Sequence, residues 1–104
     1  MDKPNIITLD LTGCKYLGEI HLRIKEAFDF PDYYGQNWDA FWDLLREPRE
    51  YTIVEIKGLK GLPKEFDQQI KKMMEILQRN IEYQNDIIER NPQFDYRFEY
   101  RIID

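Results

Sequence analysis

A chain of 104 residues with 42% hydrophobic content is sized for one globular domain, spanning 1–104, with a real core and no room for a second. The formal net charge of −5 argues against a phosphate-binding surface for nucleic acid, and a single cysteine, Cys14, excludes an internal disulfide and has no neighbours at metal-ligand spacing. Apolar runs of only a few residues leave nothing to span a membrane and no basic-then-apolar leader, so the expected compartment is the reducing cytoplasm, with no cofactor.

From Asn5 to Leu11 the chain alternates, with Ile7, Leu9 and Leu11 set against Thr8 and Asp10, and this predicts a strand closed by Thr12-Gly13-Cys14. Leu17, Ile20, Ile24 and Phe28 then recur at helical spacing and predict a helix over about Leu17 to Phe28. His21, the only histidine, lies beside that stripe with no serine or cysteine partner in view. It reads as a packed or an exposed helix residue, not a catalytic one.

The densest stretch follows, F-D-F-P-D-Y-Y-G-Q-N-W-D-A-F-W-D-L-L from Phe28 to Leu45. Pro31 biases Phe30 away from helical geometry, and Gly35 permits a positive φ after two tyrosines. Asn37, or the turn just before it, is a plausible N-cap. A helix starting there places Trp38, Phe41, Trp42 and Leu45 on one apolar stripe able to face a core. Asp39 and Asp43 then lie one turn apart on a neighbouring face, where like charges oppose the helix by about 0.2–0.5 kcal/mol. Rigid aromatics beside clustered carboxylates have the composition of a protein-recognition surface; the plainer reading makes the aromatics core and the acids solvated.

After Pro48, Tyr51 to Lys57 is rich in β-branched residues and predicts a second strand, with Gly58 and Gly61 in the turn beyond it. Pro63 suits the first position of a helix, whose stripe runs through Phe66, Ile70, Met73, Met74, Leu77 and Ile81 until Asn91-Pro92 ends it. The paired methionines read as core filler rather than a promiscuous groove. The last segment alternates strictly: Phe94, Tyr96, Phe98, Tyr100 and Ile102 on one face, Asp95, Arg97, Glu99 and Arg101 on the other. That predicts a strand over Phe94 to Ile103 with one buried face. Strands separated by helices need crossovers, so the expected fold is α/β, a three-stranded parallel sheet with helices packed mainly on one face.

Pro31 to Asp43 closely resembles the signature of the barstar family, intracellular inhibitors of barnase-like ribonucleases. The matching positions are Pro31, Asp32, Tyr33, Tyr34, Gly35, Asn37, Asp39, Trp42 and Asp43. The resemblance implies that the turn and helix plug a nuclease active site with acids meeting its basic residues. Tyr33, Gly35, Asn37, Trp38, Asp39, Trp42 and Asp43 are then the partner-binding residues, and Asp43 holds the most important acidic position. It implies no catalytic residue and a basic ribonuclease or nuclease toxin as partner; the free chain is expected to be a monomer, although no residue pattern speaks to its oligomeric state. A further family acid maps to either Glu75 or Glu82. The chain departs from the family at Arg46-Glu47-Pro48, a new cation and a rigid proline on the rim, which bears on the choice of partner.

Between positions 29 and 50 six acids face two bases, so most of the excess negative charge sits in the signature region and favours a basic partner. Two other readings stay open. One is an enzyme with Asp39 and Asp43 as an acid/base pair, which a chain this small gives little cleft to support. The other is a barstar-like interaction or regulatory domain with a partner that is not a nuclease.

Overall fold

The computed structural model describes residues 3–104, and Met1 and Asp2 lie outside the described residues. Three strands, β1 (Asn5–Asp10), β2 (Thr52–Lys57) and β3 (Phe98–Ile102), form one parallel sheet in the order β1-β2-β3. Helices α1 (Leu17–Phe28) and α2 (Trp38–Leu45) lie in the crossing from β1 to β2. A 3₁₀ turn at Lys64–Phe66 and α3 (Asp67–Arg90) lie in the crossing from β2 to β3. The architecture is the α/β arrangement the periodicities predict.

Register decides which residues meet. Ile7 pairs with Val54, Leu9 with Ile56 and Val54 with Tyr100. Partners in a parallel ladder share a face, so Ile7, Leu9, Thr52, Val54, Ile56 and Phe98 form one buried surface. The helices cover that surface: α1 packs on β1 and α3 on β3, while α2 rests mainly on α3. The opposite face is mixed: Ile6 and Ile53 pair on it, Ile53 almost wholly buried, beside Glu55 paired to Arg101 at 3.6 Å and Tyr51 donating its hydroxyl proton to Glu99. Among the described residues no helix is long and apolar enough to cross a membrane.

Within the helices and strands the structure corrects the sequence reading in four places. Pro63 does not open the long helix directly; it precedes the 3₁₀ turn, and α3 begins only at Asp67. The buried line of α3 is Met73, Leu77, Asn80 and Gln84, so Ile70, Met74 and Ile81 sit at its margin. On α2 the buried residues are Phe41, Leu44 and Leu45, with both tryptophans half-buried beside them, so the core-facing stripe is rotated from the expected one. The last strand is half as long as its alternation suggests. Thr52, the first residue of β2, pairs with Phe98, so nothing before that position has a strand to pair with. Phe94, predicted buried, is 43% exposed and stacks on Tyr96 outside the sheet.

Candidate functional site

The connection from 29 to 37, α2 and one side of α3 build the site. Where α1 ends, Asp29 adopts a left-handed conformation (φ 55°, ψ 44°), and its N–H and that of Phe30 close on the Glu26 and Lys25 carbonyls. Aspartate tolerates this geometry better than most side chains. Pro31 then opens a turn that Tyr34 closes by donating its N–H to the Pro31 carbonyl at 2.9 Å. Lys25 meets Asp32 at 3.0 Å across the same turn, an exposed pair of small energetic weight.

Gly35 is not the residue with positive φ. That conformation belongs to Gln36, at φ 51°. Gly35 is needed for space instead: a Cβ there would lie 3.2 Å from Asn37 Nδ2 and 3.5 Å from the Ala40 Cβ, inside the helix cap. Asn37 is extended (φ −141°, ψ 169°), and its Oδ1 accepts from the Ala40 N–H at 2.8 Å. Its Nδ2 donates to the Gly35 carbonyl at 3.2 Å. Both ends of the Asn37 amide are therefore committed to shaping the turn and starting α2.

Beneath the turn lies a packed aromatic set. Phe30 stacks on Phe28 and tilts against Tyr34, each at 5.2 Å between centroids, and Phe41 closes edge-on against Phe28. His21, buried at 1% exposure, shares a 2.6 Å hydrogen bond between its Nδ1 and the Tyr34 hydroxyl, the donor depending on the tautomer. Its ring also lies 4.4 Å from that of Trp38, whose indole N–H donates to Gln69 of α3 at 2.7 Å. Burial pushes the His21 pKa down and the Tyr34 hydroxyl up, because each charged form would lose its water. One histidine from α1 thus pins both the turn and the first residue of α2.

What remains outside is polar. Tyr33 is 78% exposed, and Gly35, Asp39 and Asp43 are exposed. Tyr33, Gly35 and Asp43 border a shallow depression of about 260 Å³ on one side of α2, floored by Tyr34, Ala40 and Leu44. On the other side Trp38 and Asp39 border a second depression of about 270 Å³ with Lys72, Glu75, Ile76 and Arg79 of α3. The two aspartates therefore crown a ridge between two hollows. Trp42 sits edge-on to Tyr83 at 5.6 Å, with the Arg79 guanidinium 4.2 Å and the Arg46 guanidinium 5.9 Å from its ring centroid. Arg46 also approaches Asp43 at 3.8 Å.

All seven sequence-predicted site residues fall in this region, in different capacities. Tyr33, Asp39 and Asp43 hold their side chains exposed to solvent. Gly35 and Asn37 shape the backbone, and Trp38 and Trp42 are half-held by α3. The contribution of α3 was not read from the sequence. Gln69, Lys72, Arg79 and Tyr83 carry no local signal for this role, because it arises only when α3 meets α2. Glu75 borders the same hollow as Asp39, whereas Glu82 accepts from Gln78 on its own helix at 3.4 Å. Gln84 had a usable signal, a polar side chain on the apolar line of α3. Its Nε2 donates to the Arg46 carbonyl at 3.0 Å and to Asn80 Oδ1 at 3.1 Å, closing the C-terminal end of α2. Among the described residues no group of His, Cys, Asp and Glu could hold a metal ion.

Residues 5–99 match the family described as Barstar (barnase inhibitor). A protein of Bacillus subtilis (strain 168) named "Putative ribonuclease inhibitor YrdF" is 58% identical over 39 residues. That match takes in 38% of this chain and 43% of that protein, so the chain spans less than half the length of this curated relative.

Proposed function

The chain belongs to the barstar family, whose members are inhibitors rather than catalysts, and from that premise we propose that it blocks the active site of a basic ribonuclease by stoichiometric binding. The observation that carries this reading is the exposed acidic ridge, Asp39 and Asp43 on a helix whose other face is locked into the core by Phe41, Leu44 and Leu45.

Inhibition of this kind needs anionic groups that stand where substrate phosphates would stand, opposite the enzyme's Arg, Lys or His. Charge-assisted hydrogen bonds in a dehydrated site are strong but sensitive to orientation. A carboxylate on a preformed helix meets that requirement without ordering a floppy segment at the moment of binding. Asn37 sets where the helix starts and Gln84 where it ends, so Asp39 and Asp43 are presented at a fixed separation. Tyr33 contributes exposed aromatic area beside them, and the exposed backbone at Gly35 allows close approach. Glu75 adds a third negative charge at the far hollow. Barnase and barstar are themselves the usual illustration of interface hot spots and of electrostatic steering, so the magnitudes measured on that pair belong to it and not to this chain.

The test is a titration of this protein into a barnase-like basic ribonuclease, followed by RNA cleavage at low and moderate salt. A one-to-one endpoint is expected, weakened by salt and lost in Asp43→Ala through faster dissociation. An Asp43→Ala protein that still inhibits to the same endpoint overturns the site assignment.

The cations around Trp42 favour a second reading. Arg46 lies 3.8 Å from Asp43, and Arg79 borders the hollow that Asp39 borders, so positive charge stands beside the acids, which lowers complementarity to a purely basic cleft and suits a partner with mixed charge, nuclease or not. Removal of the two arginines separates these readings: inhibition of a basic ribonuclease should improve if they oppose it, and binding of a mixed-charge partner should fall.

A further inference from the structure

The third strand leaves an edge that its own chain does not cover. The Thr52 N–H bonds to the Arg97 carbonyl and the Ile103 N–H to the Ile56 carbonyl, and the register pairs Thr52 with Phe98 and Ile56 with Ile102. In a parallel ladder this fixes the alternation: the backbone groups of Arg97, Glu99, Arg101 and Ile103 point to β2, while those of Phe98, Tyr100 and Ile102 point outward. Among the described residues those outward groups have no hydrogen-bond partner. The opposite edge is treated differently, because the last outward carbonyl of β1, that of Asp10, accepts from Arg23 at 2.6 Å. Natural edges are guarded by proline, a bulge, charged side chains (lysine above all), shortness or a covering segment. F-E-Y-R-I has no proline, lysine or bulge; its guards are its five-residue length and the charges of Glu99 and Arg101, which are opposite in sign, and Ile102 is 54% exposed.

We propose that β3 pairs antiparallel with β3 of a second copy of this chain, making a weak two-fold dimer with a continuous six-stranded sheet centred on Tyr100. The charges select that register. With the two-fold at Tyr100, outward groups pair Tyr100 with Tyr100 and Phe98 with Ile102, and each Glu99 stands opposite an Arg101. Slipping by two residues one way puts Glu99 opposite Glu99 and Arg97 opposite Arg101; slipping the other way puts Arg101 opposite Arg101. Directly opposed like charges destabilise a sheet and unlike charges support it, so one register is favoured and its neighbours are penalised. Glu99 and Arg101 already have intrachain neighbours in Tyr51 and Glu55, but Arg101 is half-exposed and its Glu55 contact is loose at 3.6 Å, so donors remain free. An edge of five residues buries little area, so association is concentration-dependent rather than obligate. A weak dimer departs from the monomer expected of the free chain, and it does not depend on the proposed nuclease partner.

Sedimentation equilibrium of the full chain across low to high micromolar concentration tests it, together with amide hydrogen exchange read at single residues. The expected result is a monomer–dimer equilibrium with the Phe98, Tyr100 and Ile102 amides more protected at high concentration. Arg101→Glu, or Glu99→Arg, should weaken the dimer by about tenfold or more, and the double swap should restore it. Ile102→Pro removes an outward N–H, which a lone edge strand tolerates, and should leave a folded monomer by circular dichroism. A wild-type chain that stays monomeric throughout, or a dimer indifferent to both the charge swaps and the proline, overturns the proposal.

Discussion

Helix α2 and the segment from Phe94 to Ile103 carry two clear periodic patterns, one at helical and one at strand spacing, and folding used them unequally. In α2 the apolar side finds surfaces to meet, Phe30 of the preceding connection on one flank and α3 on the other. In the last segment the alternation runs for longer than the sheet beside it, so only the residues opposite β2 are drawn into pairing. The difference teaches that periodicity reports which residues share a face; it does not report whether anything lies against that face.

The sharpest way to break this comparison is to truncate the same residue type on each side of the boundary. Phe98→Ala removes a buried ring and should cost about 3–5 kcal/mol in urea unfolding, while Phe94→Ala, a few positions earlier in the same alternation, should cost less than about 1 kcal/mol. Equal losses would mean that the stacked Phe94–Tyr96 pair belongs to the folded core after all.

Next in size is the histidine beneath α2. Its folded pKa is held below the ordinary 6.5 by burial, so the unfolded chain binds the proton more readily. The resulting stability is fully present above pH 6.5 and is lost as pH falls through the lowered folded value. His21→Asn, which keeps an acceptor for the Tyr34 hydroxyl, should flatten this part of the stability–pH curve, and the last segment should show no comparable dependence of its own. An unchanged slope would place the acid sensitivity elsewhere.

Smaller still is the cap. Asn37→Ala should lose about 1 kcal/mol by leaving the Ala40 N–H without its side-chain acceptor, and Asn37→Asp should retain most of it. In the adjoining turn, Gln36→Gly should be neutral or stabilising by up to about 1 kcal/mol, since a non-glycine residue there is held at positive φ. At the bottom of the scale, Asp43→Ala should change stability by no more than about 0.5 kcal/mol, because the side chain is exposed and its approach to Arg46 is loose. A large loss there would make Asp43 a structural residue and remove it from the ridge.

Much of this was legible in the residues. The two N-terminal strands, α1 and the Asn37 cap follow from alternation, helical spacing and side-chain capping, all of which act over a few neighbouring positions. The misreadings share a cause. Gly35 looked like the site of positive φ because glycine adopts it without cost, yet the tight approach of Asn37 and Ala40 uses that glycine for space and leaves Gln36 in the left-handed region. The α2 stripe was rotated because Leu44 and Trp42 are both apolar: Leu44 is enclosed, while Trp42 meets Tyr83 and Arg79 of α3 and stays half-buried.

The amino-acid sequence by itself determined the element types, the parallel topology and the concentration of acids on one short aromatic segment, because local backbone preference and residue spacing are properties of the chain alone. Tertiary structure decided the rest: where β3 begins, that His21 holds Tyr34 and Trp38 together, that Glu75 borders the same hollow as Asp39, and that Arg46 at the end of α2 and Arg79 of α3 flank Trp42. Each of these depends on residues far apart in the chain being brought to within a few ångströms, and no local pattern records that distance.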